Sequence, residues 1–225
     1  RRVLFRSCLF PLASRQASHF IIDALFTTIT NADFSNEMLD GYLTRGLALK
    51  NVLEGTVKKR GMEPPFMPEV SFHIDKADYG RLDVVEHGGT LAEEFFSVLH
   101  EKNEDIRGLK QLVIYGCKGM AAYTRHALNL GFENEDVYVV IENALAEISR
   151  PDIDAEELLS LVLNVGDGGV KAMALLDKAN TSTYGNPEIT KVNIGTGSRP
   201  GILISGHDLK DLEMLLEQSA GKGVD

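Results

Sequence analysis

The sequence predicts a multi-domain α and α/β chain: a helical-bundle domain followed by the start of a Rossmann-like α/β domain. Three observations carry this reading. Apolar residues recur at helical spacing through most of residues 104–180. A continuous apolar run bounded by glycines, Gly201-Ile202-Leu203-Ile204-Ser205-Gly206, has the pattern of a buried parallel strand. A helical pattern follows at once from Asp208, and strand, tight turn, helix is how α/β sheet domains open.

Residues 1–17 are basic and follow neither a helical nor a strand period, so they read as a segment unmatched to the rest. Residues 18–31 read as a helix, with Ser18 as N-cap and Phe20, Ile21, Leu25 and Ile29 apolar. A second helix runs to about residue 60, with Leu39, Leu43, Leu49 and Leu53 on one face, and Gly61 and Pro64 end it. Residues 61–90 show no strong period, apart from a short strand expected at 70–74.

Residues 104–130 then repeat apolar or small positions at Leu109, Val113, Gly116, Met120 and Ala127, with Gly131 as the stop. Residues 134–149 repeat Val137, Val140, Ile141, Ala144 and Ile148. Asp154 and Glu157 have capping-box spacing ahead of Leu158, Leu161 and Val165. The cluster Gly166-Asp167-Gly168-Gly169 is expected to break this helix before another at 170–180. Short loops between these helices predict antiparallel neighbours in a bundle.

The character changes after residue 185. Residues 190–194 read as extended, 201–206 as the strand, and 208–219 as a helix capped by Asp208. The domains are therefore 18–190, mainly helical, and 191–225, the truncated beginning of the α/β domain. With no starting Met, the chain reads as a piece of a longer protein.

Composition narrows the function. Lys and Arg total 23 against 33 Asp and Glu, a net charge of −10. That excludes a general nucleic-acid binder, which needs a basic face, and docking on an anionic membrane. No run approaches the uninterrupted apolar length of a spanning helix. Two cysteines, Cys8 and Cys117, make neither a disulfide scaffold nor a self-contained metal site. The compartment reads as cytoplasmic.

The strongest single position is His207, between the end of the expected strand and the next helix. Ligands bind beyond the carboxyl ends of strands in open α/β sheets, and a histidine there ligates a metal or transfers protons. A histidine that hydrogen-bonds within a turn fits the same position. The polar stretch 177–187 lines a pocket or caps a helix exit. Gly166-Asp167-Gly168-Gly169 lacks the Lys-Ser/Thr of a phosphate-binding loop. His19, His73, His87, His100 and His126 are scattered, without metal-site spacing. Cys117, on an apolar helix face, reads as a small core residue.

Four segments together resemble one family. They are residues 20–31 (Phe-Ile-Ile-Asp-Ala-Leu-Phe-Thr-Thr-Ile-Thr-Asn), Tyr115-Gly116 with residues 118–123 (Lys-Gly-Met-Ala-Ala-Tyr), residues 172–187 (Ala-Met-Ala-Leu-Leu-Asp-Lys-Ala-Asn-Thr, then Thr183-Tyr184-Gly185-Asn186-Pro187), and residues 203–213 around Ser205-Gly206-His207-Asp208. In this order they resemble the hybrid cluster protein family, also called the prismane or hydroxylamine reductase family. The resemblance implies an iron–sulfur oxidoreductase that reduces hydroxylamine to ammonia and water. Nitric oxide reduction and defence against nitrosative stress are also implied. It implies a cubane-type iron–sulfur cluster, a hybrid iron–sulfur–oxygen cluster and an electron-donor protein. It makes His207 a ligand of the hybrid cluster, with Asp208 a candidate partner beside it.

The departures bear on activity. The cubane cysteines are absent, Cys8 does not match their motif, and Cys117 has no ligand role in the family pattern. One imidazole cannot hold a multi-iron cluster, so this chain alone is expected to be iron-free and inactive. Two alternatives stay open: a metal-free helical binding or scaffold module, and a carbon monoxide dehydrogenase-related protein.

Overall fold

The structure is a computed structural model that describes residues 11–29, 35–62 and 97–224. Cys8 and the strand expected at 70–74 lie outside them. Helices α1 (Pro11–Thr27) and α2 (Asn36–Lys59) precede a 3-10 turn at Val98–His100. Helices α3 (Glu104–Asn129), α4 (Glu135–Ile148), α5 (Ala155–Tyr184) and α6 (Leu209–Ser219) follow.

The start signals of the central helices are local. Asn103 accepts from the Asp105 and Ile106 amides to cap α3, and Asn134 accepts from Asp136 N to cap α4. Asp154 and Glu157 form a reciprocal capping box on α5. Each first turn carries two acids, which oppose the positive end of the helix dipole. Helix α3 ends in a Schellman motif: Phe132 N donates to Ala127 O and Gly131 N to Leu128 O. Gly131, at φ 81, takes the left-handed position that this motif requires.

Helices α3, α4 and α5 pack as an up-down-up bundle. Gly116 meets Val165 and Met120 meets Gly168, so α3 and α5 run in the same direction. Val113, Cys117, Ile141, Ala144 and Leu158 are fully buried between them. Burying a side chain such as Ile141 or Leu158 contributes about 1.5–3 kcal/mol, so this stripe is the main source of cohesion. Ile22 of α1 joins the same core. Asp23 of α1, buried, lies 2.6 Å from the Arg45 guanidinium of α2 and 2.8 Å from that of Arg125 of α3.

The structure departs from the sequence expectations at four places. Helix α1 already begins at Pro11, so Ser18 lies inside it. Ser18 is buried and donates to Glu142 of α4 at 2.6 Å, a cross-helix bond in place of an N-cap. Helix α5 runs unbroken through Gly166-Asp167-Gly168-Gly169. An interior glycine costs about 0.5–1 kcal/mol relative to alanine. Close helix packing at Gly168, whose added β-carbon would stand 2.8 Å from Val140 Cγ1, offsets that cost.

The Rossmann-like α/β start is not supported. Residues 190–194 and 201–206 form no strand, and residues 182–207 are exposed throughout. Leu203 is 98 % exposed. A strand exists only by pairing its amides and carbonyls with a neighbour, and no described residue is in a strand. Helix α6 is present where expected but buries none of its residues.

By length and composition α5 is apolar enough to cross a membrane. Its Leu158, Leu161, Val165, Ala172 and Leu175 are buried within the bundle, while Leu159, Leu163, Val170 and Met173 on the other side are exposed.

Candidate functional site

His207 precedes the first residue of α6 by two positions, as expected, but it follows an irregular turn. Gly206 makes that turn at φ 149, a conformation that side-chain-bearing residues rarely adopt. Asp208 then caps α6: its Oδ1 accepts from Lys210 N at 2.9 Å and from Asp211 N at 3.4 Å. The other carboxylate oxygen faces His126, on the last turn of α3, with Oδ2 2.7 Å from Nδ1. Buried Nδ1 has no hydrogen-bond partner among the described residues.

The His126 ring is held between two others. Phe26 of α1 meets it edge to face at 5.6 Å, and His207 meets it at 6.1 Å and 82°. Farther along α6, Tyr184 Oη donates to Glu213 Oε2 at 2.8 Å, and Lys210 Nζ donates to the same oxygen. Lys210 and then Tyr184 hold the Glu213 carboxyl below the usual carboxylate range. Partial burial, helped by Glu213, raises the Tyr184 phenol.

Of these groups His126, His207 and Asp208 line a mainly apolar cleft of about 620 Å³. Thr28 and Ile29 enter it from the end of α1, Leu176 and Asn180 from α5, and His207, Asp208 and Leu209 from the rim of α6. The α3 wall carries Tyr115, Lys118, Tyr123 and His126, with Lys118 Nζ over the Tyr115 ring at 5.7 Å. All four motif segments quoted above contribute to this one cleft. Of its lining residues only His126 and Leu130 come from outside them.

The other sequence candidates fall elsewhere. Asn180 lines the cleft, whereas Thr181 and Thr183 of the same polar stretch bond back to the Asp177 and Ala179 carbonyls. Gly166 to Gly169 lie inside α5. His19 pairs with Glu133 at 3.0 Å. His73 and His87 lie outside the described residues. Cys117 is fully buried, and desolvation pushes its thiol up to about 11, so it is neutral and inert.

As a metal donor, His207 fits. It faces the cleft, and no hydrogen bond engages its ring among the described residues. Imidazole is a normal ligand of iron. Among the described residues no group of three or more His, Cys, Asp or Glu can hold a metal ion. The described residues are therefore not a complete ligand set.

His126 and Asp208 are the pair that sequence reading underrated. His126 had no motif spacing to any other ligand type, and only the fold brings it to Asp208.

Fold and site together define a helical domain that presents an imidazole at the rim of an apolar cleft. The chain belongs to the Prismane/CO dehydrogenase family, whose model matches residues 6–225. It is 48 % identical over 211 residues to a protein named hydroxylamine reductase from Porphyromonas gingivalis, covering 94 % of this chain and 36 % of that protein. It is 47 % identical over 213 residues to one so named from Bacteroides fragilis, covering 95 % and 37 %. A third, from Clostridium botulinum, is 44 % identical over 230 residues, covering 95 % and 40 %. The chain thus spans 36–40 % of the length of these curated relatives. Family membership implies an iron–sulfur cofactor.

Proposed function

We propose that this chain is a segment of an iron–sulfur enzyme that reduces hydroxylamine to ammonia and water, with His207 as an iron ligand. The observation that carries the reading is the convergence of all four motif segments on one cleft with His207 at its rim. The names of the relatives support the substrate. In the reaction the N–O bond breaks, two electrons and two protons enter, and one ammonia and one water leave. A bound iron–sulfur group supplies Lewis acidity and electrons.

This chain's own residues bind and orient. His207 supplies one imidazole nitrogen. The apolar lining limits water around a small substrate, and Tyr115, Lys118 and Asn180 are among its polar groups. We read the cofactors as a cubane-type and a hybrid iron–sulfur–oxygen cluster, the reductant as a separate electron-donor protein, and the compartment as cytoplasm. Nitric oxide reduction belongs to the same reading. Neither nucleic acid nor membrane is a partner, which the net charge of −10 supports. The exposed link over 182–207 supports placing a domain division near 185–200, with residues 191–225 leading into a further unit.

The test is anaerobic purification of the full-length polypeptide and assay with hydroxylamine and reduced viologen. One ammonia should appear per two viologen radicals oxidised, and His207→Ala should abolish it. No ammonia above the protein-free control overturns the reading. An iron-free inert protein would then indicate a helical scaffold module, and carbon monoxide oxidation a dehydrogenase.

A further inference from the structure

We propose that His126 is a positioning residue for His207 and acts through Asp208. The inference rests on His207 being an iron ligand. Packing leaves His207 little support: residues 182–207 are exposed, and α6 buries no residue. Among the described residues two polar contacts tie α6 to the bundle, Tyr184 with Glu213 and His126 with Asp208. The second lies one residue from His207.

One carboxylate performs both tasks at this point. Asp208 Oδ1 caps α6 while Oδ2 faces His126, so the α6 N-terminus and the orientation of His207 depend on the same side chain. His126 is itself fixed from behind by Phe26, edge to face at 5.6 Å. Contact therefore runs from Phe26 on α1, through His126 on α3, to the turn that carries His207. Removing the imidazole takes away the group that Oδ2 faces and frees the turn from the rim of the cleft. Groups that orient a metal ligand without touching the metal typically change metal affinity by about 10–100-fold.

The experiment uses the full-length, iron-loaded protein. It compares wild type with His126→Phe, which keeps a ring against Phe26, His126→Gln, which keeps a polar group facing Asp208, and His207→Ala. Readouts are iron retained against a ferrous chelator, the electron paramagnetic resonance spectrum of the reduced protein, and thermal unfolding. His126→Phe should weaken iron retention about tenfold or more and alter the spectrum, with the unfolding temperature close to wild type. His126→Gln should recover part of both. If His126→Phe fails to fold, Asp208→Ser supplies the readout. Serine keeps the cap but is too short to reach His126, so iron should again be lost. Wild-type retention and spectrum in the folded His126→Phe, or in Asp208→Ser, overturn the proposal. Unchanged iron and spectrum in His207→Ala overturn the ligand reading itself, and the positioning role with it.

Discussion

Gly116 of α3 lies directly against Val165 of α5: a β-carbon added at Gly116 would stand 2.5 Å from Val165 Cγ1. The close approach of the two long parallel helices at this point depends on that missing methyl group. The helices that wall the candidate cleft are therefore set at a separation that side chains at this point would increase.

Gly116→Ala should destabilise the protein. Overpacking costs about 1–3 kcal/mol, which exceeds the gain of about 1 kcal/mol in helix propensity. Gly166, exposed on α5 with nothing within 4 Å of an added β-carbon, should respond in the opposite sense. Gly166→Ala should stabilise by about 0.5–1 kcal/mol. Urea unfolding of the two variants checks both signs, and equal stabilisation would show that close packing does not explain Gly116.

A carboxylate clamp makes the fold sensitive to acid. The Arg15 guanidinium of α1, with further hydrogen bonding and charge from His19, lowers Glu133 from 4.5 to about 2. Tyr138 Oη also donates to this carboxylate, at 3.2 Å. The folded pKa lies below the unfolded one. Its stabilisation is thus present above about pH 4.5 and is lost as pH falls through about 2. Arg15 is 61 % exposed, so solvent screens the pair and the effect is small. Glu133→Gln should be less stable than wild type at pH 6, and the difference should shrink toward pH 2. A constant difference across that range would show that ionisation plays no part.

The capping box at the start of α5 is a local device with a measurable contribution. Asp154 Oδ1 accepts from Glu157 N at 2.8 Å, and Glu157 returns a bond to Asp154 N at 3.2 Å. Asp154→Ala should cost about 0.5–2 kcal/mol, and Asp154→Asn much less. Denaturant midpoints of the pair distinguish loss of the cap from loss of charge.

Cys117 should resist chemistry in the native state. Its thiol is fully buried and pushed up to about 11, so thiolate is scarce at pH 8. Iodoacetamide should label it only after denaturation, as read by peptide mass mapping. Rapid labelling of the folded protein would place the thiol at an accessible surface and reopen its availability as a ligand.

The helical part was largely legible in the sequence because its signals are short-range. The Asp154–Glu157 box sits three residues from the amides it caps, and Gly131 terminates its own helix. Where the reading went astray, a distant partner decided. Gly166 to Gly169 read as a break because glycine disfavours helix locally, yet Gly168 sits at a crossing with Met120 and Val140. Ser18 read as a cap, yet its hydroxyl reaches Glu142 on another helix. The apolar run 201–206 read as a strand, but pairing requires a neighbour that no described residue provides.

For the candidate site, the sequence by itself determined the position of His207, the cap at Asp208 and the four motif segments. Each is a matter of residue type and near neighbours along the chain. Tertiary structure alone decided that those segments share one cleft and that His126 lies 2.7 Å from the second oxygen of the Asp208 carboxylate. The physical reason is range: capping and periodicity act within a turn or two of helix. His126 and Asp208 lie far apart along the chain, and only the packed helices bring them together.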